Sequence, residues 1–140
     1  MDEILPVVAR RSEARLVQAA AKRRPRWEKI LFESAQQARR LQVPTLGETA
    51  RFSRAVDTAR ADLKIVFCES PEAPPLRTIL RSATKAYRVA LAIGPEGGWT
   101  SEELRTAREH GFREASLGRP ILRTETAVIA ALAAVNYELS

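Results

Sequence analysis

The stretch IGPEGGWTSEE, residues Ile93–Glu103, predicts a strand that ends in a glycine turn and is followed by a helix. The segment before it, Tyr87–Ile93 (YRVALAI), is almost continuously apolar, which is typical of a strand buried on both faces of a parallel sheet. After the turn, Thr100 and Glu103 have the spacing of a capping box, so we expect a helix to begin here and to run to His110.

The turn itself is rich in residues that shape the backbone. Gly94, Gly97 and Gly98 allow sharp turns and a close approach to a ligand, and Pro95 stiffens the segment. Its glycine spacing differs from the dinucleotide-binding fingerprint, and it lacks the lysine of a phosphate-binding loop. Taken alone, such a turn is as typical of a tight connection as of a binding site.

A second strand, turn and helix follow in SLGRPILRTETAVIAALAAV, Ser116–Val135. The pattern predicts a strand over Arg113–Leu117, a loop over Gly118–Arg123 and a helix over Thr124–Tyr137. Because that helix is apolar on nearly every side, we expect it to be buried in the core or at a subunit interface.

The rest of the chain continues the alternation of strands and helices. We expect a strand over Glu3–Ala9, the basic segment Arg10–Arg24, a helix opened by Pro25 and closed by Pro44, a short helix over Gly47–Val56, a strand over Leu63–Cys68, and a short helix that starts at Pro75 and runs through Leu80. This order predicts an α/β fold with a mostly parallel sheet and flanking helices. Ligands of such sheets bind at the carboxyl ends of the strands, where both glycine turns fall.

Size and charge limit the functional class. A chain of 140 residues suits one domain, and its net charge of +6 arises mostly before Val43. That distribution favours a polyanionic partner such as nucleic acid, although a solubilising surface has the same composition. With no apolar run long enough to span a membrane and no signal-peptide pattern at the start, we expect a cytoplasmic protein.

Few side chains are available for metal or covalent chemistry. Cys68 is the single cysteine and His110 the single histidine, which argues against metal-dependent hydrolysis and covalent acyl transfer. We interpret Cys68 as a buried structural thiol and His110 as a helix-end residue. Trp99 adjoins the first turn, where it would cover a ligand or pack between subunits.

The two turns together carry a specific resemblance. GPEGG before a helix, followed by LGxxILRTETA before an apolar helix, resembles the methyltransferase domain of the RsmE family. The N-terminal segments EILPVVARRS (Glu3–Ser12), KRRPRWE (Lys22–Glu28) and Gln37–Pro44 are similar to family segments in the same order, so the resemblance covers nearly the whole chain. One departure lies in the second loop. Family members commonly read Gly-x-Arg-Ile/Val-Leu-Arg there, whereas in this chain Arg119 precedes Pro120.

The resemblance implies a function and a fold. Members methylate N3 of a uridine in small-subunit (16S) ribosomal RNA with S-adenosylmethionine, without a metal. They belong to the SPOUT class, whose domain has a C-terminal trefoil knot and forms a homodimer through the knot region. Relative to the family, we expect residues 1–140 to be this domain without the N-terminal β-barrel RNA-binding domain and the first strand and helix. The alternative functions are an RNA-binding module without autonomous catalytic activity and a nucleotide-phosphate binder.

The resemblance also implies site residues. Cofactor-binding positions would be Ile93, Gly94, Pro95, Glu96, Gly97, Gly98, Leu117, Gly118, Ile121, Leu122, Thr124 and Ala127. Catalytic candidates are Arg123, Arg119 and Glu125, with Glu96 as another possible proton acceptor. Contacts to RNA phosphates are expected from Arg10, Arg11, Lys22, Arg23, Arg24 and Arg26.

Overall fold

The computed structural model describes residues 1–83 and 85–140. In these residues the elements are, in chain order, β1 (Glu3–Ile4), β2 (Val7–Val8), α1 (Ala14–Gln37), β3 (Thr45–Leu46), β4 (Ala50–Arg51), α2 (Phe52–Thr58), β5 (Leu63–Phe67), α3 (Leu76–Ser82), β6 (Val89–Ala92), α4 (Ser101–Glu109), β7 (Arg113–Ala115) and α5 (Thr124–Leu139). The expected α/β architecture with parallel strands and flanking helices is confirmed.

The central sheet has the order β6-β5-β7, and both neighbours run parallel to β5. Ile65 and Val66 in β5 are fully buried because successive side chains point to opposite faces and helices cover both. The face of Ile65 packs against α3 and α5, and the face of Val66 packs against α2 and α4. The near-continuous apolarity of the strand sequences follows from this three-layer arrangement.

The N-terminal region differs from the expected single strand over Glu3–Ala9. Two short strands form there, β1 and β2, and they are separated by Leu5 and Pro6. They pair in parallel with β3 and β4, and β4 lies in the first part of the stretch Gly47–Val56, where a helix was expected. That helix prediction was wrong for residues 47–51, because their backbone groups pair with the N-terminal segment and α2 begins only at Phe52.

Helix α1 also differs from expectation. It begins at Ala14 and holds Pro25 in its interior, so the prediction that Pro25 opens the helix was wrong. An interior proline costs about 3 kcal/mol, because it removes a backbone donor and crowds the preceding turn. The helix ends at Gln37, before Pro44, where Arg39 takes a left-handed φ of 52° and the Arg40 N–H donates to the Ala35 carbonyl.

Helix α5 is buried on one side only. Ala127 and Ala131 lie in the core, whereas Ile129 and Tyr137 are 69% and 86% exposed in the single chain. The expected burial of this helix is therefore confirmed for one face, and its other, partly apolar face is exposed in the single chain. No helix among residues 1–83 and 85–140 is long and apolar enough to cross a membrane.

Candidate active site at the carboxyl edge of the sheet

Both glycine turns lie at one edge of the central sheet. The first follows β6 and the second follows β7, and these parallel strands flank β5 on either side. A hydrogen bond joins the two segments: the Thr124 hydroxyl at the start of α5 donates to the Gly94 carbonyl at 3.2 Å. Ile93 and Leu117 are half-buried and pack onto the core beneath the turns. The structure thus brings together the two segments that the sequence singled out.

Trp99 forms the floor of the first turn. It is buried, its ring centroid is 4.4 Å from that of Phe52, and its indole N–H donates to the Phe67 carbonyl at 3.0 Å. A Cβ on Gly94 would stand 3.0 Å from the indole ring, so glycine permits the close approach of the turn to this side chain. The expectation that Trp99 packs between subunits was wrong, because its indole is buried in the core of the single chain. That Trp99 contacts a ligand stays a prediction.

The turn then leads into a well-capped helix. The Gly98 N–H donates to the Pro95 carbonyl at 2.8 Å, and Gly98 has a φ of +73°, which favours glycine. The Thr100 hydroxyl accepts from the Glu103 N–H at 3.1 Å, and the Glu103 carboxylate accepts from the Thr100 N–H at 2.8 Å. The predicted capping box is confirmed, and it fixes where the turn ends.

Arg11 contacts the turn from the opposite end of the sequence. Its Nη1 donates to the Gly97 carbonyl at 2.9 Å and to the Trp99 carbonyl at 3.3 Å. A Cβ on Gly97 would lie 3.1 Å from the Arg11 Cβ, so the two residues are closely apposed. Its neighbour Arg10 donates its backbone N–H to the Glu103 carboxylate at 2.7 Å. The sequence predicted that both arginines contact RNA. It did not predict their contacts with the first turn and α4, because these residues are distant in the sequence and no local pattern indicates the pairing.

The second loop presents an open, partly apolar surface. Gly118 has a φ of +123°, a conformation that L side chains rarely adopt, and its N–H donates to the Ser116 hydroxyl at 3.1 Å. A Cβ on Gly118 would meet nothing closer than 3.8 Å, so open space adjoins the loop backbone. Ile121 is 77% exposed and Leu122 is half-buried. An exposed isoleucine beside open space at a strand's carboxyl end is suited to packing against the flat face of a ligand.

The catalytic candidates surround the start of α5. Arg123 is the residue preceding the helix, and Glu125 lies in its first turn. Both are exposed, as is Arg119 in the loop before them and Glu96 in the first turn. Ala127, expected at the cofactor, is buried, so its methyl group belongs to the core. The charged groups therefore border the same edge as the turns.

The expected RNA contacts divide into two groups. Lys22, Arg23 and Arg26 are exposed on α1. Arg24, in contrast, donates to the carbonyls of Gly47 and Leu46 at 2.9 and 2.6 Å and pairs with Glu28 at 3.2 Å. Arg24 and Arg11 thus hold loops in place, whereas the side chain of Arg10 lies 3.7 Å from Glu102.

The remaining candidate side chains have structural roles. Cys68 is partly buried, and that burial raises the pKa of its thiol, which disfavours the nucleophilic thiolate. The Nδ1 of His110 lies 2.8 Å from the Thr106 carbonyl, and its Nε2 lies 3.4 Å from Asp57. His110 therefore caps the end of α4, as the sequence indicated.

Comparison with known proteins agrees with this geometry. Residues 1–136 match the family model described as RNA methyltransferase domain. The chain belongs to the RNA methyltransferase domain family. Among curated family relatives, ribosomal RNA small subunit methyltransferase E of Bacillus subtilis is 33% identical over 96% of this chain and 55% of its own length. The protein of the same name from Synechocystis is 33% identical over 89% of this chain and 42% of its own length.

Solved structures extend the family likeness to three dimensions. A putative methyltransferase from Legionella pneumophila in complex with the bound cofactor SAM has a TM-score of 0.88 and 32% identity, covering 98% of this chain and 55% of that one. Ribosomal RNA small subunit methyltransferase E from Neisseria gonorrhoeae, bound to S-adenosyl methionine, has a TM-score of 0.87 and 34% identity, covering 99% and 56%. The chain thus spans about half the length of the relatives it matches.

Proposed function

We propose that this chain binds S-adenosylmethionine at the carboxyl edge of its sheet and transfers the methyl group to N3 of a uridine in small-subunit (16S) ribosomal RNA. The observation that carries the proposal is the union of the two turns through the Thr124–Gly94 hydrogen bond. The similar proteins from Legionella and Neisseria contain this cofactor. Because the proposed substrate is ribosomal RNA, we expect the protein to act in the cytoplasm.

The residues at this edge fit such a cofactor. Gly97 and Gly118 are exposed and carry no side chain, so a ligand can approach their backbone closely. Ile121 and Leu122 offer apolar surface for its ring face. The other proposed contacts are Ile93, Gly94, Pro95, Glu96, Gly98, Leu117 and Thr124, with Ala127 contributing only from beneath.

The chain's own chemical task is positioning and charge control. The bound cofactor supplies an already activated methyl group, so no metal is needed. Uracil N3 is a weak acid, and a guanidinium beside its O2 or O4 oxygen favours the deprotonated form that attacks the methyl. Arg123 is the first candidate for this cation and Arg119 the second. Glu125 would orient Arg123, or Glu96 would accept the N3 proton.

RNA would approach along the exposed basic face of α1. Lys22, Arg23 and Arg26 are available for phosphate contacts, which set affinity rather than base choice. Arg10 would contribute from the edge of the site. Arg11 and Arg24 are already engaged with backbone carbonyls, which favours the three exposed residues on α1 as the main phosphate contacts.

Two finer features of the fold belong to the same proposal. The chain between β7 and α5 is held by Pro75, which bridges Ser116, and by Gly94, which bonds Thr124. Together with the likeness to the RNA methyltransferase relatives, we propose that this region forms a C-terminal trefoil knot of the SPOUT type. The exposed apolar face of α5, with Ile129 at its centre, supports a homodimer formed through this region.

A methyl-transfer assay with unmodified small-subunit ribosomal RNA tests the function. We expect wild-type protein to transfer labelled methyl from S-adenosylmethionine and the product to be N3-methyluridine. Arg123→Ala should retain cofactor binding and lose most of the transfer. Arg54→Ala, an exposed arginine on α2, is the matched control and should keep wild-type turnover. RNA binding without any cofactor binding would instead favour a non-catalytic RNA-binding module, and full turnover by Arg123→Ala would remove that residue from the mechanism.

A further inference from the structure

The amino ends of the central strands, opposite the glycine turns, form a shallow cleft with positively charged walls. It has a volume of about 250 Å³ and is lined by Ala59, Arg60, Ala61, Asp62, Lys64 and Arg88. We infer that this cleft binds a phosphate of the RNA, as a contact remote from the methyl-transfer site. The inference rests on the proposed function in assuming that the protein acts on RNA.

The cationic side chains keep donors available. The Lys64 ammonium donates to the His110 carbonyl at 3.1 Å and lies 5.8 Å from the centre of the Phe112 ring, so its stem is fixed while further N–H groups remain. The Nη1 of Arg60 donates to the Asp57 and Ala59 carbonyls at 2.8 and 3.3 Å, which leaves its Nη2 and Nε. Fixed stems with remaining donors suit an oxyanion.

The charge balance favours an anion over a cation. Asp62 is the carboxylate that lines the cleft, and its Oδ2 already accepts the backbone N–H groups of Tyr87 and Arg88 at 3.0 and 2.8 Å. The nearby carboxylate of Asp57 lies 3.4 Å from the His110 ring. Both carboxylates therefore have partners, whereas the lining residues include the cations of Arg60, Lys64 and Arg88.

One RNA strand can reach both edges of the sheet. Strand β5 has five residues and separates the edges by ~17 Å at ~3.3 Å per residue. At ~3.4 Å per stacked nucleotide, this straight-line distance sets a minimum of about five nucleotides, because helices cover both faces of the sheet and the RNA must pass around them. A base at the glycine turns and a phosphate at the cleft can thus belong to one RNA strand of more than about five nucleotides.

The test is anisotropy with a labelled uridine-rich single-stranded RNA at several salt concentrations. Arg88→Glu and Arg60→Glu should each weaken binding about fivefold and reduce the salt slope by ~0.7, the value for one lost single-strand phosphate contact. Arg105→Glu, the same charge change at an exposed position on α4, should stay within about twofold of wild type. S-adenosylmethionine affinity should be unchanged in all three. Arg88→Gln provides a milder variant should charge reversal impair folding.

Three results overturn the inference. The first is wild-type affinity and salt slope in the cleft variants, which leaves the proposed function intact because cofactor binding and methyl transfer are measured separately. In the second, wild type binds poly-glutamate and Arg88→Glu weakens that binding by the same factor as it weakens RNA binding. This result would indicate that the cleft binds an acidic protein. The third is a wild-type protein that binds no RNA, which overturns the proposed function as well.

Discussion

Replacing Arg11 with alanine should weaken cofactor binding without weakening RNA binding. The change removes the charged donor from the Gly97 and Trp99 carbonyls, 2.9 and 3.3 Å away. A hydrogen bond from a charged group contributes about 1.5–3 kcal/mol when buried, and less here because Arg11 is exposed and the second bond is long. We therefore expect the ordered turn to lose about 1–2 kcal/mol, equivalent to a fivefold to thirtyfold rise in the dissociation constant of S-adenosylmethionine.

The assay pairs calorimetric titration of the cofactor with RNA binding at several salt concentrations. Arg23→Ala is the matched control, because this exposed arginine on α1 is a proposed phosphate contact and lies on a different element from the turn. It should lower RNA affinity and salt slope while leaving cofactor affinity unchanged. Arg11→Lys should restore part of the cofactor affinity, since an ammonium can make one of the two bonds. Wild-type cofactor affinity in Arg11→Ala, together with a reduced RNA salt slope, would refute the reasoning.

Three further predictions follow from the fold. Gly118→Ala forces an L side chain to a φ of +123°, so it should lower the unfolding free energy by about 1–3 kcal/mol and also lower cofactor affinity. The control Gly111→Ala, at a φ of +83° beyond α4, should lower stability but keep cofactor affinity. Equal cofactor affinities in the two variants would contradict the role of the second loop. Pro25→Ala restores a backbone donor inside α1 and should raise the unfolding free energy by about 1–3 kcal/mol in denaturant titrations, so an unchanged midpoint would show that the helix adapts to proline without cost. Ile129→Glu should convert the proposed dimer to a monomer in sedimentation, whereas Leu16→Glu, at an exposed position on α1, should leave the dimer intact. Identical sedimentation of Ile129→Glu and wild type would exclude the exposed face of α5 as the dimer interface.

The sequence predicted the elements whose signals are local. Near-continuous apolarity identified β5 and β6, because these strands are covered on both faces. The capping residues Thr100 and Glu103 located the start of α4 within one residue, because their hydrogen bonds are made within a single turn. The position of both glycine turns at one edge also followed, since parallel strands bring their carboxyl ends together.

The sequence did not predict features that depend on distant partners. The short strands β3 and β4 form because their backbone pairs with the N-terminal segment, which local propensity does not reveal. The interior position of Pro25 shows that the rest of α1 tolerates one unfavourable residue. Arg11 lies 86 residues from Gly97, so its role became visible only in the folded chain. Its charge resembled that of the phosphate-binding arginines, and composition cannot separate the two roles.

The central claim is that the two turns form a cofactor site, and calorimetric titration of this chain with S-adenosylmethionine tests it most directly. The account predicts saturable binding with one site per chain, competition by S-adenosylhomocysteine and none by ATP. Absence of heat and of any thermal shift at millimolar cofactor would contradict it.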